Sequence, residues 1–411
     1  MNSTASALIV ATMDTKGREA LYIAECLENE GVSVCLMDAG IRGHCPAAVR
    51  VTREEVARAA GTTLAKVQGI KQEGRALRIM TTGAESRAQD LFRQGEIQGI
   101  IGLGGSMGTT LASGVMRSFP IGFPKVLIST MASRDTRAFV GTKDIMMLYS
   151  VCDLSHLNRV TRVVLKNGAL ALAGMLREPV SEAISALSPP ILLSTLGTTE
   201  ACAQALRQDL ENHDHEVIMY HTNGSGGRAM EEMIACEKIA AVVDLSLHEI
   251  GDHLFGGDYD AGPARGAAAL GSGIPTVLVP GNIDFLVSGP FEKARKQFPN
   301  RPYHIHNDAI TVVRTGHKEI EMIAERFAEL CDSAAGAVGV WVPMKGLSAF
   351  DRAGGPLHDP AGPEIFAAAF EANSTGNPCL NRSPHHINDR EFGAIIFRAL
   401  TQLIEDKRVA D

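Results

Sequence analysis

The residues most able to do chemistry begin with Gly102-Leu103-Gly104-Gly105-Ser106-Met107-Gly108-Thr109-Thr110, set between the apolar run Gly99 to Leu103 and a helix-like stretch, Thr109 to Arg117. Glycines at such a junction let the backbone turn sharply and approach a ligand, while the next helix offers unpaired N–H groups and a partial positive charge. Phosphate is the natural guest. Ser106, Thr109 and Thr110 can add hydroxyl donors. The spacing is neither G-x-x-x-x-G-K-[ST] nor G-x-G-x-x-G, and the same residues would also make a tight strand-to-helix turn with an N-cap.

Asp14-Thr15-Lys16-Gly17 follows the first apolar run, Ala7 to Val10, and ligands in open α/β sheets sit at the carboxyl ends of strands. Lys16 can neutralise a phosphate, and Asp14 can hold a ribose hydroxyl or a hydrated Mg²⁺; the plainer reading is an N-cap Asp beside a solvated Lys. Gly40, in Asp38 to Gly43, and Met131, in Ser129 to Asp135, follow the second and fourth strands and would border the same crevice.

The second half carries Asn223-Gly224-Ser225-Gly226-Gly227-Arg228 ahead of a helix, another candidate anion cradle. His221 beside it could serve as acid, base or donor. In His248-Glu249-Ile250-Gly251-Asp252-His253 the pairs His248/Asp252 and Glu249/His253 are four apart and share helix faces. This is not H-E-x-x-H, and Gly251 weakens the helix, so no metal is assigned. Glu249 and Asp252 are expected to line a cleft between domains and, with Lys16, are the candidate catalytic residues. Tyr303 to Asp308 and His385 to Asp389 are also rich in His, without ligand spacing.

These residues need a scaffold, and short apolar runs alternating with amphipathic stretches supply one. Ala7 to Val10, Val32 to Met37, Gly99 to Leu103 and Lys125 to Ser129 read as strands of a parallel sheet, with 52–78 a helical excursion between the second and third. After a helix near Val160 to Leu176 and a Pro-containing connector, Glu178 to Pro190, the pattern restarts. Ile191 to Thr195, Glu216 to Tyr220, Ala240 to Asp244, Pro275 to Val279 and Val338 to Val342 are strands, with helices at Glu200 to Asn212 and Met230 to Lys238. The expectation is an α/β protein with two Rossmann-like, doubly wound domains, 1–185 and 186–411, mainly parallel sheets and a ligand cleft between them. The second series echoes the first, suggesting duplication.

Composition agrees with this class. The chain has 411 residues, 45% hydrophobic and 21% charged, which suits two or three globular domains and excludes fibrous or disordered classes. A net charge of −8 with no basic block argues against nucleic acid as a partner. The eight Cys form no C-x-x-C pair and read as reduced. Ala7 to Ala11 is too short for a signal peptide and no stretch approaches a bilayer span, so a cytoplasmic protein off the membrane is expected.

Thr12 to Gly17, Gly102 to Ser106, Ser129 to Ser133, Gly141 to Ile145, Asn223 to Glu231 and His386 to Asp389, in this order, resemble the UPF0261 family of Tm-1-like ATP-binding proteins. The resemblance spans essentially the whole chain. It implies two Rossmann-like domains, self-association into a homo-oligomer, and ATP with Mg²⁺ in the N-terminal half, with no reaction assigned. Where relatives typically carry Thr-Glu, this chain has His248-Glu249, so His248 is not part of the pattern. The resulting expectation is an ATP- and Mg²⁺-dependent enzyme, kinase- or ligase-like, acting on a small metabolite. The alternative is a non-catalytic module whose interactions depend on nucleotide.

Overall fold

The computed structural model describes residues 5–177, 188–375 and 380–410; the expected connector lies outside them apart from its last residues, as does Cys379. The chain forms two compact units, Met1–Ala186 and Leu187–Asp411.

In the first unit, β1 (Ser6–Ala11), β2 (Ser33–Asp38), β3 (Gly99–Gly104), β4 (Lys125–Ser129) and β5 (Met146–Tyr149) form one parallel sheet in the order β2-β1-β3-β4-β5. Alternation along β1 sends Leu8 and Val10 to one face and Ala7 and Ile9 to the other, and each set joins a separate buried core. A strand buried on both faces reads as a continuous apolar run, which is why β1 and β3 stand out in the sequence. The helix Met13–Asn29 packs on the helix Arg159–Arg177 on one side of the sheet. On the other side, the excursion between β2 and β3 resolves into helices Arg53–Ala59, Leu64–Gln68 and Glu73–Arg93, and the long one lies against Ser106–Arg117. Thr52 and Glu55 start the first of these with a reciprocal capping box.

In the second unit, β6 (Ile191–Thr195), β7 (Val217–His221), β8 (Ala241–Asp244) and β9 (Thr276–Leu278) precede an insertion, β10 (Phe285–Ser288), β11 (Tyr303–Asn307) and β12 (Ile310–Arg314). The sheet is then completed by β13 (Val338–Pro343) and β14 (Leu380–Ser383), in the parallel order β7-β6-β8-β9-β13-β14. In both sheets the chain's second strand pairs outside the first, and the third, fourth and fifth follow on the other side. That puts a topological switch point between β1 and β3 and another between β6 and β8.

Two features depart from the sequence reading. β10, β12 and β11 form a separate antiparallel sheet, so the His-rich segment Tyr303–Asn307 is a strand with an exposed outer part. The helix expected at Met230 begins earlier, at Ser225, directly after the glycine loop. Among the described residues, no helix is long and apolar enough to cross a membrane, and the described cysteines are free.

Candidate functional site

At the switch point of the first unit the carboxyl ends of β1 and β3 open onto a cavity of about 440 Å³, inside the range of small-molecule sites. Asp14, Thr15, Lys16, Gly104, Gly105, Ser106 and Gly108 all line it. The helix Ser106–Arg117 begins here with Gly105 at its N-cap, no side-chain cap and no acidic residue in its first turn. Its intrahelical bonding starts only at the Thr109 amide, which donates to Gly105 O at 2.8 Å, leaving the amides of 106–108 for other acceptors. Gly104 has no room for a side chain, because a β-carbon would lie 2.7 Å from Gly108 Cα. Gly105 differs: a β-carbon there would meet nothing closer than Thr130 Oγ1 at 3.9 Å, so the position faces open space.

Ala39, Ile41, Ala76 and Leu77 give the cavity an apolar wall, and Arg42 and Glu73 add charge at its edge. None of these six was named individually: Ala39, Ile41 and Arg42 fall within the segment Asp38 to Gly43 expected at the crevice, while Glu73, Ala76 and Leu77 come from a helix with no motif of its own. The loop bearing Ile41 and Arg42 is built by Asp38 and Arg53. Asp38 Oδ1 accepts from the amides of Met13 at 3.1 Å and Gly40 at 2.8 Å. Arg53 approaches Asp38 at 3.4 Å and donates to the carbonyls of Arg42 and Gly43.

The fold presses Asp14 against this loop. A β-carbon on Gly40 would come within 3.1 Å of Asp14 Oδ1, and one on Gly43, at φ +70°, within 2.8 Å of Asp14 Cβ. Asp14 Oδ1 is buried without a hydrogen-bond partner. Burial first, and the Asp38 charge second, raise the Asp14 carboxyl above its ordinary range. A carboxylate held near a second one, with a free buried oxygen, suits a hydrated divalent cation. Lys16 has no ion-pair partner among the described residues.

The remaining expected residues of this unit do other work. Thr109 is fully buried, with its hydroxyl 2.6 Å from Ser129 Oγ and 3.3 Å from Gly104 O, so it ties β3 to β4. Thr110 donates back to Ser106 O at 2.9 Å. Gly40 serves Asp38, and Met131 has its amide on Ser129 Oγ; neither lines the cavity.

The second unit fills the corresponding place with its own side chains. The amides of Gly224 and Gly227 donate to Glu249 Oε1 at 2.6 and 3.2 Å, and Gly226 N donates to Asn223 Oδ1 at 3.1 Å. The loop Asn223–Gly227 is therefore an anion cradle whose anion is Glu249, and Ser225 Oγ is buried beside it without a partner. Glu249 in turn accepts from Arg265 Nε at 2.6 Å, and Arg265 forks onto Asp244 at 2.5 and 2.7 Å and reaches Glu231 at 3.2 Å. Arg265, Glu249 and Asp244 are all buried.

Asp252 accepts from the amides of Val287 at 3.0 Å and Tyr259 at 2.9 Å and is fully buried, its carboxyl raised chiefly by desolvation. It joins the helix His248–Phe255 to the antiparallel sheet. Glu249 and Asp252, expected on a cleft, instead lie inside the second unit, because neighbouring amides and Arg265 satisfy their oxygens. Lys16 alone of the three candidate catalytic residues reaches a cavity. His248 Nδ1 sits 3.2 Å from Ser246 Oγ, and desolvation lowers the imidazole to about 3, so it is neutral. Among the described residues no group of three or more His, Cys, Asp and Glu could hold a metal ion.

Comparison with known proteins gives matches along most of the chain. A UPF0261 protein of Clostridium tetani is 35% identical over 97% of this chain and 98% of its own. The ToMV resistance protein Tm-1(GCR237) of Solanum lycopersicum is 33% identical over 84% of this chain and 46% of its own. Among solved structures, Methanocaldococcus jannaschii UDP-GlcNAc 2-epimerase in complex with UDP-GlcNAc and UDP covers 66% of this chain and 83% of its own at 9% identity and a TM-score of 0.20, too low to bear on function. The family model "Uncharacterised protein family (UPF0261) N-terminal domain" matches residues 5–181 and its C-terminal counterpart residues 188–404, so the chain belongs to the UPF0261 family.

Proposed function

We propose that the first unit binds ATP with Mg²⁺ at the carboxyl ends of β1 and β3, and that the protein is an ATP-dependent enzyme acting on a small metabolite. One observation carries this reading. The uncapped first turn of Ser106–Arg117, an unpaired Lys16 and an apolar wall of Ala39, Ile41 and Leu77 converge on one cavity. Backbone amides and Lys16 would take the phosphates, and the apolar wall the base. Asp14 would hold Mg²⁺, which supplies charge neutralisation on the transferred phosphoryl group. In such chemistry positioning and charge neutralisation supply most of the catalysis, and Lys16 is the residue of this unit placed to give both.

Titration calorimetry with MgATP tests the reading. The wild type is expected to bind, and Lys16→Ala and Gly105→Val to bind at least about tenfold more weakly with unchanged urea denaturation. Gly105→Val acts by filling the cavity, since its β-carbon meets open space. Wild-type affinity in both variants would eliminate the site. Sustained phosphate release by the purified protein separates an enzyme from a module in which nucleotide only sets an interaction.

A further inference from the structure

A second cavity, of about 400 Å³, lies in the second unit where the chain leaves β13. Lys345, Asp351, Arg352, His358, His386 and Asp389 line it. The segment between β13 and the next helix folds tightly on itself: a β-carbon on Gly346, at φ +132°, would lie 1.9 Å from Asp351 O. That fold presents the Asp351 carboxylate from inside. Asp351 is 1% exposed; its Oδ2 accepts from Leu347 N at 3.0 Å and its Oδ1 from Asp359 N at 2.8 Å.

His358 Nδ1 stands 3.3 Å from that same Oδ1. A carboxylate can only accept, so Nδ1 carries the proton and Nε2 keeps its lone pair. His358 is 30% exposed at the cavity wall, whereas Asp351 is sealed. The second histidine is arranged the opposite way. His386 Nδ1 accepts from Arg352 Nη2 at 3.2 Å and from Asn388 N at 3.0 Å, and its Nε2 donates to Ser348 O at 3.0 Å, so both nitrogens are spent. Both Asp351 oxygens accept backbone amides, which favour the carboxylate, while burial raises the group. Asp284, buried nearby, is raised to about 8 by desolvation and by the Asp351 charge. Ser348 donates to the other Asp284 oxygen at 2.6 Å.

We infer that this cavity is a substrate site in which His358 Nε2, oriented by Asp351, acts as general base toward the hydroxyl of a small acid whose carboxylate or phosphate group is held by Lys345 and Arg352. The hydroxyl proton passes to Nε2, leaving an alkoxide-like oxygen and an imidazolium paired with Asp351, and the same proton returns from Nε2 to that oxygen to restore the resting state. Lys345 has no ion-pair partner among the described residues. Arg352 shares its charge with Asp389 at 3.0 Å, while Asp359, the other acid at the cavity, is taken by His317 at 2.8 Å. The inference stands on the second unit alone and does not depend on nucleotide binding in the first.

Nitrogen-resolved NMR of the intact, His-labelled protein tests it, with His358→Gln identifying the resonance. The ring is expected as the Nδ1–H tautomer. Malonate and inorganic phosphate, titrated separately to 20 mM, are expected to shift that resonance for at least one anion; which one responds tells carboxylate from phosphate. Lys345→Ala/Arg352→Ala should weaken the response at least tenfold while the His386 signal keeps its Nε2–H tautomer. Asp351→Asn should change the His358 tautomer population, which a purely structural Asp351 would not do. An Nε2–H tautomer for His358 in the wild type, or no response to either anion, overturns the proposal.

Discussion

The two parallel sheets are wound in the same order, yet their switch points have opposite contents. Between β1 and β3 the carboxyl ends of the strands open onto a cavity edged by Lys16 and glycine-flanked amides. Between β6 and β8 the place is occupied by Asp244, Glu249 and Arg265, with Glu249 seated on the amides of Gly224 and Gly227. A glycine loop ahead of a helix is therefore no guarantee of a ligand. It guarantees close approach, and what approaches can be the chain's own carboxylate.

Removing Arg265 should break this contrast most severely. Arg265→Ala leaves Asp244, Glu249 and Glu231 facing one another in the interior, and losing one partner of a buried ionic network costs about 3–5 kcal/mol. Urea denaturation should show the second unit failing first; an unchanged midpoint would show that the network is dispensable.

Two glycine-to-alanine changes sharpen it. In Gly227→Ala the added carbon would lie 1.9 Å from Glu249 Oε2, and displacing that buried carboxylate should cost about 1–3 kcal/mol. Gly105→Ala, with 3.9 Å of clearance, should leave the denaturation midpoint within about 0.5 kcal/mol of wild type. Equal effects at both positions would mean that the loops are used alike.

A further expected effect concerns acid. His248 is buried and neutral, held to about 3, while an exposed histidine titrates near 6.5. Between those values the unfolded chain binds a proton that the folded chain refuses, so stability is full above pH about 6.5 and falls as the pH drops. His248→Thr removes that term, and its loss of stability between pH 7 and pH 5 should be shallower than the wild type's. Parallel curves would place the acid sensitivity elsewhere.

Much of this was legible in the sequence, and the part that was not has a physical pattern. Strands buried on both faces announce themselves as apolar runs, and Gly104 and Gly105 stand at the junction where a backbone must come close. What stayed hidden were partners contributed by distant segments. Arg265 sits in Ala-Gly-Pro-Ala-Arg-Gly with no local pattern, yet it determines that Glu249 is structural. Arg53 shapes the loop around the first cavity from a helix whose only local signal is the Thr52/Glu55 capping box. Asp351 and His358 are separated by a turn containing glycine and proline, so no periodicity joins them. In β11 His304 and His306 break the apolar alternation, so the segment read only as His-rich and its strand went unrecognised.

The seat of Glu249 on the Gly224–Gly227 amides has a practical corollary. A half-molecule that supplies its own counter-charge gains nothing at that seat from dissolved nucleotide, so stabilisation by MgATP is expected through the other half. Where two thermal transitions resolve under MgATP, the one that does not move is a built-in thermometer for the experiment.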